Sequence, residues 1–255
     1  MILVLGGTYD SRKLTEALLD EGYRVLYSSV TEYNVKSLPE NDHLGTVIGK
    51  LEQEGLYNLI INHKIKTCVD ATHPYAGEVS LNAINACSEA KIDYFRMERP
   101  RLIDDGANIL GFDTYEEAVK YLNKKEGKIL LTTGSRQLEY YESISKERLV
   151  IRVLPTSSVL KKCEDLGYKP KSIIAMQGPF SYQTNINMIR EYNIRYLVTK
   201  DSGDVGGVAE KINAASDCDV QVVFIKRPTI DYPTVCSDIK GVIHQLSDHA
   251  INVKK

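Results

Sequence analysis

Short runs of branched aliphatic residues alternate with stretches of helical period along nearly the whole chain. Such a run fits a strand that is buried on both faces, and each helical stretch supplies the crossover to the next parallel strand. The pattern therefore predicts an α/β fold in which helices cover both faces of parallel sheets. Strands are expected near residues 2–5, 24–29, 67–71, 92–97, 128–133, 149–153, 172–176, 194–199 and 220–225.

The two halves of the chain are similar in sequence. The first half closes on NAINACSEAKIDYFRMERP (82–100) and the second on EKINAASDCDVQVVFIKRP (210–228), each a predicted helix, turn and strand followed by Arg-Pro. Their openings, ILVLGGTYDSRKL (2–14) and ILLTTGSRQL (129–138), match as well. Chance similarity between α/β units is common, yet the shared order favours internal duplication. We expect two Rossmann-like parallel-sheet halves that face a central cleft.

The boundary between the halves is expected just after Arg99-Pro100-Arg101, where LIDDGANIL is polar and contains a turn-forming Asp-Asp-Gly. This boundary gives an N-terminal domain at residues 1–103 and a C-terminal domain at residues 104–255. Residues 112–125 then have the pattern of a helix, with Thr114 as the N-cap and Glu117 as its capping-box partner.

Composition narrows the class of protein. Hydrophobic residues make up 43% and charged residues 26%, as in an ordinary globular protein, and no stretch is apolar enough to span a bilayer. The chain opens on a predicted strand rather than a signal segment, so a cytoplasmic location is expected. A net charge of −2 does not indicate a general nucleic-acid surface, so any anionic ligand must be bound by local cations. The five cysteines have no metal-site or disulfide spacing, and no metal is expected.

The first predicted strand runs directly into Gly6-Gly7-Thr8, and a helical pattern begins just beyond. A strand that enters a helix through glycines leaves the first N–H groups of the helix available to an anion such as a pyrophosphate. The third glycine of the dinucleotide fingerprint is missing, however, so the turn alone is a weak signal.

DATHPYA (70–76) follows a strand and precedes a helix, at the edge where open α/β sheets bind ligands. Asp70 and Thr72 have a second interpretation, which is that their side chains satisfy backbone groups of the turn. His73 and Tyr75 favour a binding role, because a turn that enters a helix has no structural need for either ring.

In the second half, TTGSRQ (132–137) also ends a strand, where Ser135 offers a hydroxyl and Arg136 a cation for a carboxylate or phosphate. An ordinary N-cap followed by a surface arginine is the alternative. KDSGDVGG (200–207) follows a later strand and puts the Lys200 ammonium and the Ser202 hydroxyl at its tip, without the order of a Walker loop. A plain flexible connection is the alternative there.

Two arginines stand before a proline at the end of a strand, one in each half. Arg99 and Arg227 are either symmetric contacts for an anion or partners of acidic neighbours. Near the end of the second strand, Ser28, Ser29 and Thr31 stand where an NAD site commonly offers an acid to the ribose. The nearest cation along the chain is Lys36, and the choice between NADH and NADPH stays open.

In this order, the segments LGGT (5–8), DATHPYA, RMERP (96–100), TTGSRQL, QGPFS (177–181), KDSGDVGG and KRP (226–228) resemble the precorrin-6A reductase family of cobalamin biosynthesis. The resemblance covers nearly the whole chain, and LGTVIGK (44–50) is more similar to the anaerobic, cobalt-containing branch. It implies that a dinucleotide-binding first domain and a substrate-binding second domain transfer hydride from NADH or NADPH to a double bond of a tetrapyrrole.

Residues are assigned to the two ligands from this resemblance and from their turns. The cofactor set is Gly6, Gly7, Thr8, Ser28 and Thr72. The substrate set is His73, Tyr75, Arg99, Ser135, Arg136, Lys200, Ser202 and Arg227. No catalytic residue is assigned, no membrane or nucleic-acid partner is expected, and the oligomeric state is left open. The alternative function is a two-lobed α/β protein that binds a small anion without redox chemistry.

Overall fold

A computed structural model describes residues 1–99, 108–200 and 207–252, without the side chains of residues 33 and 249–252. Its strands, in chain order, are β1 (Ile2–Leu5), β2 (Val25–Ser29), β3 (Leu44–Ile48), β4 (Thr67–Asp70), β5 (Asp93–Met97), β6 (Ile109–Phe112), β7 (Lys128–Leu131), β8 (Leu149–Val153), β9 (Ile173–Ala175), β10 (Ile194–Lys200), β11 (Gln221–Ile225) and β12 (Val235–Cys236).

The α-helices of the described residues are α1 (Tyr9–Asp20), α2 (Glu32–Val35), α3 (Gln53–Asn62), α4 (Gly77–Ala90), α5 (Tyr115–Asn123), α6 (Ser157–Asp165), α7 (Tyr182–Glu191), α8 (Val208–Ser216) and α9 (Ile239–Asn252). Short 3-10 helices occupy Ser135–Tyr141, Lys146–Arg148 and Pro170–Ser172. Among the helices described, none is both long and apolar enough to cross a bilayer.

Each of two compact units contains one six-stranded parallel sheet. The first sheet has the order β12-β5-β4-β1-β2-β3, and the second has the order β6-β11-β10-β7-β8-β9. If each sheet is read from β1 or β7, five strands have the same order, and the strand order reverses beside that strand in both units. The sixth strand differs, because β12 follows the other strands of its sheet along the chain whereas β6 precedes those of its sheet. The predicted α/β class is therefore confirmed, and so is the matching topology of the two halves for five of the six strands.

The apolar runs reflect burial on both faces of each sheet. In β1, the side chains of Ile2 and Val4 join a core with α1 and α9, whereas Leu3 and Leu5 join another core with α3 and α4. Successive side chains of a strand point to opposite faces, so a strand covered on both sides needs apolar residues at every position.

The predicted domain at 104–255 is wrong at its C-terminal end. The described residues 228–252 belong to the first unit, together with residues 1–99, and residues 108–200 and 207–227 form the second. Strand β12 pairs with β5, where the Arg96 and Glu98 N–H groups donate to the carbonyls of Thr234 (2.8 Å) and Cys236 (2.9 Å). Because β12 has only two residues, its sequence contains no apolar run that would predict that the chain returns to the first sheet. The predicted boundary itself falls at 101–107, outside the described residues.

Helix α5 is shorter than the 112–125 expected. It spans Tyr115–Asn123, because Phe112 already belongs to β6. The predicted N-cap is confirmed, since the Thr114 hydroxyl accepts a hydrogen bond from the Glu117 N–H at 3.2 Å. The Glu117 carboxylate accepts from the Asp113 N–H instead of closing a capping box on Thr114.

Candidate functional site

The glycine turn after β1 is tied to the end of β4. Thr8 is the N-cap of α1, where its hydroxyl accepts from the Ser11 N–H and the Ser11 hydroxyl accepts from the Thr8 N–H, each at 3.0 Å. The Thr8 hydroxyl also donates to the carbonyl of Ala71 at 2.9 Å. Because β4 lies beside β1, this bond joins the glycine turn to DATHPYA at the point where the strand order reverses.

Gly6 is required by packing inside the unit. The ring of Tyr27 is fully buried beneath it, and a Cβ at Gly6 would lie 2.1 Å from Cζ of that ring. The Tyr27 hydroxyl accepts from the Gly7 N–H at 2.9 Å and lies 3.0 Å from Oγ of Ser11. Tyr27 therefore supports the turn from below, a reason for Gly6 that sequence reasoning missed.

We expect Gly6→Ala to lower the free energy of unfolding by about 1–3 kcal/mol, because the added methyl group must displace a buried ring. Chemical denaturation followed by circular dichroism measures the change. Gly55→Ala is the matched control, because a Cβ there meets only ordinary contact at 3.5 Å and lies within α3. Alanine favours that helix by up to about 1 kcal/mol. Equal stability of Gly6→Ala and the native protein would contradict the packing argument.

Gly7 differs from Gly6 because its backbone has φ +109° and a Cβ there would meet only ordinary van der Waals contacts. The nearest atoms to such a Cβ are Nδ2 of Asn34 at 3.8 Å and Oγ of Ser29 at 3.9 Å. Asn34 Nδ2 also donates to the hydroxyl of Thr31 at 3.0 Å, and Arg12 Nη1 donates to Asn34 Oδ1 at 3.4 Å. Polar side chains thus lie beside Gly7, and neither Asn34 nor Arg12 was expected there.

Ser28 is buried at the end of β2, and its carbonyl accepts from the Gly6 N–H at 2.8 Å. This bond continues the β1–β2 ladder, so Ser28 holds the start of the glycine turn through its backbone. The cation that is nearest along the chain, Lys36, is exposed and lies 3.4 Å from Glu32.

A fully buried ion pair stands behind DATHPYA. Arg96 Nη1 donates to Oδ1 of Asp70 at 2.9 Å, both side chains are 0% exposed, and Arg96 Nε donates to Glu98 at 2.8 Å. Two carboxylates thus compensate one buried guanidinium. The sequence pattern placed Arg96 in an apolar strand and gave no sign of this role.

Asp70 is surrounded by further donors. Its Oδ1 accepts from the N–H and hydroxyl of Thr72 at 3.0 and 2.6 Å. Its Oδ2 accepts from the hydroxyls of Ser80 (2.6 Å) and Tyr94 (2.7 Å). Burial and the Asp70 carboxylate raise the pKa of Tyr94 far above its ordinary value, so its proton stays in place. Of the two interpretations of Asp70, the structure supports the one in which it organises the turn. The Thr72 hydroxyl is part of the same network, and its contact with a cofactor stays a prediction.

His73 and Tyr75 lie half-buried in the turn that Asp70 organises. Nδ1 of His73 accepts a hydrogen bond from the Tyr75 N–H at 3.3 Å, and the two ring centroids are 5.6 Å apart. The carbonyl of His73 accepts from the Ala76 N–H at 2.8 Å. The turn is therefore closed by its own backbone and by the imidazole.

Arg99 forms an ion pair with Asp10, which lies in the first turn of α1. Of the two interpretations of this arginine, pairing with an acid is thus observed. The pair compensates a negative charge that would otherwise oppose an anion at the N-terminus of α1. Arg227 is 4% exposed and follows β11 in the second unit.

In the second unit, the chain after β7 forms a 3-10 helix at Ser135–Tyr141 instead of the expected α-helix. Gly134 precedes it at φ +88°, and Arg136 is exposed. Lys200 is the last residue of β10, and burial together with the charge of Arg136 lowers the pKa of its ammonium. The structure therefore brings together two of the predicted cations. Ser202 lies outside the described residues.

Two further cations of this unit were missed. Arg152 on β8 is 7% exposed, donates to Oδ1 of Asn185 at 2.8 Å, and stacks at 4.1 Å on the ring of Phe180. Burial lowers its pKa to about 10. Lys211 on α8 is 5% exposed, and burial with the charges of Arg152 and Lys200 lowers its pKa to about 8. Among the described residues, no carboxylate forms an ion pair with either of the two.

Arg136, Arg152, Lys200 and Lys211 are hereafter called the cation cluster. Two of the four, Arg152 and Lys211, are buried like charges, and an anionic ligand would compensate them. Arg152 interrupts the apolar run LVIRV, and Lys211 falls on the buried face of α8 with Val208 and Ala215. In both elements, a charged residue stands where the apolar pattern predicts a core residue. This exception is the signal from which the two cations could have been predicted.

Comparisons with known proteins show the family and the fold of the chain. The family model described as "Precorrin-6x reductase CbiJ/CobK" matches residues 1–247. The chain is 39% identical over 250 residues to the cobalt-precorrin-6A reductase of Priestia megaterium, covering 96% of this chain and 98% of that one. It is 36% identical over 250 residues to the cobalt-precorrin-6A reductase of Methanocaldococcus jannaschii, covering 97% and 98%.

A solved structure titled "CobK precorrin-6A reductase" has the same fold, with a TM-score of 0.82 at 24% identity over 97% of this chain and 96% of that one. The family model and the relatives confirm the resemblance seen in the motifs, and they favour a reductase over a binding protein without redox chemistry. The chain belongs to the precorrin-6x reductase family, CbiJ/CobK.

Proposed function

We propose that this protein reduces one double bond of cobalt-precorrin-6A with a hydride from NADH or NADPH. The observation that carries the proposal is the glycine turn of the first unit, which lies where the strand order of a six-stranded parallel sheet reverses. Dinucleotides bind at this position in open α/β sheets. The cobalt-containing substrate follows the names of the Priestia and Methanocaldococcus relatives.

The residues of the first unit fit a dinucleotide. The first N–H groups of α1, at Tyr9 and Asp10, have no carbonyl partner within the helix and suit a pyrophosphate. Gly7 places no side chain beside them, and Arg99 compensates the Asp10 carboxylate. When bound, the nicotinamide supplies the hydride. The chain's own part is to hold and orient the ligands so that the reacting atoms meet.

The donors near the end of β2 suit either coenzyme. Ser29, Thr31 and Asn34 offer hydroxyl and amide groups, which hydrogen-bond a 2′-hydroxyl or a 2′-phosphate equally well. Arg12 donates a hydrogen bond to Asn34, so its guanidinium lies next to these donors. Lys36 lies beside Glu32 instead. We therefore leave the coenzyme as NADH or NADPH.

The second unit supplies the positive charge that a tetrapyrrole fringed with carboxylates requires. The cation cluster contains Lys200 at the end of β10 and Arg136 in the 3-10 helix after β7. Its other two members, Arg152 and Lys211, are buried in the unit. Charge-assisted hydrogen bonds to carboxylates are about twice as strong as neutral ones. The cluster therefore suits a substrate with several carboxylates better than a neutral one.

The direct test is anaerobic incubation of the protein with cobalt-precorrin-6A and each coenzyme, followed by mass spectrometry. The expected product has gained two hydrogens. With coenzyme deuterated at C4, one of them is deuterium, because the other comes from solvent. An unchanged substrate mass with both coenzymes, from folded protein, would contradict the proposal.

We expect Gly7→Ala to weaken coenzyme binding by about tenfold, because a methyl group would enter the space assigned to the pyrophosphate. Isothermal titration of NADH and NADPH measures the change. Gly22→Ala is the control, because Gly22 also has a positive φ, +80°, with nothing within 4 Å of a Cβ. Both variants carry similar backbone strain, of about 1–3 kcal/mol. Equal coenzyme affinity in the two would place the dinucleotide elsewhere.

A further inference from the structure

Two large apolar side chains are exposed at adjacent strand ends of the second unit. Leu154 directly follows β8 and is 53% exposed, and Met176 directly follows β9 and is 48% exposed. The Met176 N–H donates to the Val153 carbonyl at 3.0 Å, so the register of the two strands continues to these residues. A pair of exposed apolar side chains at the carboxyl edge of a parallel sheet suits the apolar ring of a ligand.

Arg152 precedes Leu154 on β8 and is fixed by two neighbours. Its Nη1 donates to Oδ1 of Asn185 at 2.8 Å, and its guanidinium stacks at 4.1 Å on the ring of Phe180. Asn185 is held in turn, because its Nδ2 donates to the carbonyl of Ser181 at 2.8 Å. Among the described residues, Asn185 is the one oxygen acceptor for this guanidinium, which has several N–H donors. The buried side chain is therefore oriented, and it keeps donors for a carboxylate.

Lys211 brings a second buried cation close to Arg152. It lies in the first half of α8, which packs against α7, the helix that carries Asn185. Burial and the nearby charges of Arg152 and Lys200 lower the pKa of its ammonium to about 8, and Glu210 on the same helix raises it by a smaller amount. In the part of the chain that the structure describes, no carboxylate forms an ion pair with Arg152 or Lys211. A carboxylate of a ligand would compensate both charges.

The segment QGPFS (177–181) lies beside both cations. Its first three residues are exposed, whereas the ring of Phe180 is partly buried and stacks on Arg152. A Cβ at Gly207 would lie 3.6 Å from the Phe180 carbonyl oxygen, and the Gly207 carbonyl accepts from the Lys211 N–H at 3.4 Å. The segment therefore borders Arg152 through its ring and the helix of Lys211 through its backbone.

We propose that the ends of β8 and β9 bind one edge of the tetrapyrrole, and that Arg152 and Lys211 together hold a single carboxylate of that edge. Leu154 and Met176 contact the apolar face of the ring beside it. This inference rests on the proposed function and deepens it, because it assigns one acidic side chain of the substrate to two particular cations.

The two cations are tested first without any ligand. Lys211→Met replaces the ammonium with an apolar side chain of similar length. It is expected to raise the midpoint of urea unfolding at pH 7, because it removes a buried charge that has no carboxylate partner. Lys161→Met, at an exposed position of α6, is the control and is expected to leave the midpoint nearly unchanged. A lower midpoint in Lys211→Met would show that the ammonium stabilises the fold, and would overturn the proposal.

The carboxylate is identified with cobyrinic acid, a corrin with free carboxylate side chains, and with its monoamides, each of which lacks one negative charge. The native protein and Lys161→Met are expected to bind one monoamide about 10- to 150-fold more weakly than the acid, because the amide replaces the carboxylate held by the two cations. Arg152→Met and Lys211→Met are each expected to bind the acid more weakly and to lose the discrimination against that same monoamide. Isothermal titration measures the affinities.

The apolar contact is tested by Leu154→Ser. This variant is expected to bind the acid and the monoamide more weakly by the same factor, about 3- to 10-fold, because the ring loses an apolar contact while the carboxylate keeps its partners. Leu81→Ser, at a position that is 50% exposed on α4 of the first unit, is the control. Unchanged affinity in Leu154→Ser would overturn the placement of the ring.

The outcomes separate this inference from the proposed function. If Arg152→Met and Lys211→Met lose discrimination at different carboxylates or at none, or if the native protein does not bind cobyrinic acid, the inference fails. Reduction of cobalt-precorrin-6A by the native protein then still supports the proposed function. If the native protein discriminates as expected but reduces cobalt-precorrin-6A with neither coenzyme, the proposed function fails and the carboxylate site stands.

Discussion

Asp70→Ala is expected to lower the free energy of unfolding by about 3–5 kcal/mol, because it leaves the guanidinium of Arg96 buried without its main counter-charge. Both side chains are 0% exposed and their atoms are 2.9 Å apart, so solvent cannot replace the carboxylate. Urea denaturation followed by circular dichroism measures the loss.

An exposed ion pair of the same length is the control for Asp70→Ala. Lys50 and Glu78 are also 2.9 Å apart, but their side chains are 62% and 70% exposed. Glu78→Ala is therefore expected to leave the stability nearly unchanged. A loss of similar size in the two variants would mean that the buried network does not stabilise the fold.

A milder variant keeps this test informative if Asp70→Ala does not fold. Tyr94→Phe removes only the hydroxyl that donates to Oδ2 of Asp70 at 2.7 Å. We expect it to cost about 1.5–3 kcal/mol, the range for a hydrogen bond to a charged group. Asp70 also accepts a hydrogen bond from the Thr72 hydroxyl. Loss of this network is therefore expected to loosen the turn that carries His73 as well.

Most strands that the sequence predicted lie inside the sheets, with the short edge strand β9 as an exception, whereas the strands that it missed all lie at the edges. The central strands, such as β1 and β7, are apolar at nearly every position because both faces are covered. The missed strands β3, β6 and β12 are edge strands with partly exposed residues, so their apolar pattern is weak. Pairing of β12 with β5 is a long-range contact that no local pattern encodes.

The candidate site divides in a similar way. The turns at strand ends could be located, because strand ends and glycines are visible in the sequence. What each side chain does there depends on partners far along the chain, such as Tyr27 beneath Gly6 or Arg96 behind Asp70. Arg152 and Lys211 were overlooked for a related reason. The apolar period predicts that their positions are buried, but it does not predict what a charged residue at a buried position does.

Lys200→Ala is expected to weaken binding of the tetrapyrrole by about 10- to 150-fold, because it removes one charge-assisted hydrogen bond worth about 1.5–3 kcal/mol. Lys200 ends β10 at the rim of the sheet, and burial and Arg136 lower the pKa of its ammonium. A carboxylate of the ligand would favour the charged form of this ammonium. The apparent KM for cobalt-precorrin-6A measures the loss, and titration of the coenzyme is expected to show nearly unchanged affinity.

Lys161→Ala is the matched control for Lys200→Ala. Lys161 belongs to the same unit, but its side chain on α6 is 75% exposed and lies 3.2 Å from Asp165. Removing an exposed cation lowers the net charge equally without touching the cation cluster, so a general electrostatic effect would appear in both variants. A loss confined to Lys200→Ala assigns the carboxylates to the second unit. If coenzyme binding collapses in Lys200→Ala while tetrapyrrole binding survives, the two ligands have been assigned to the wrong units.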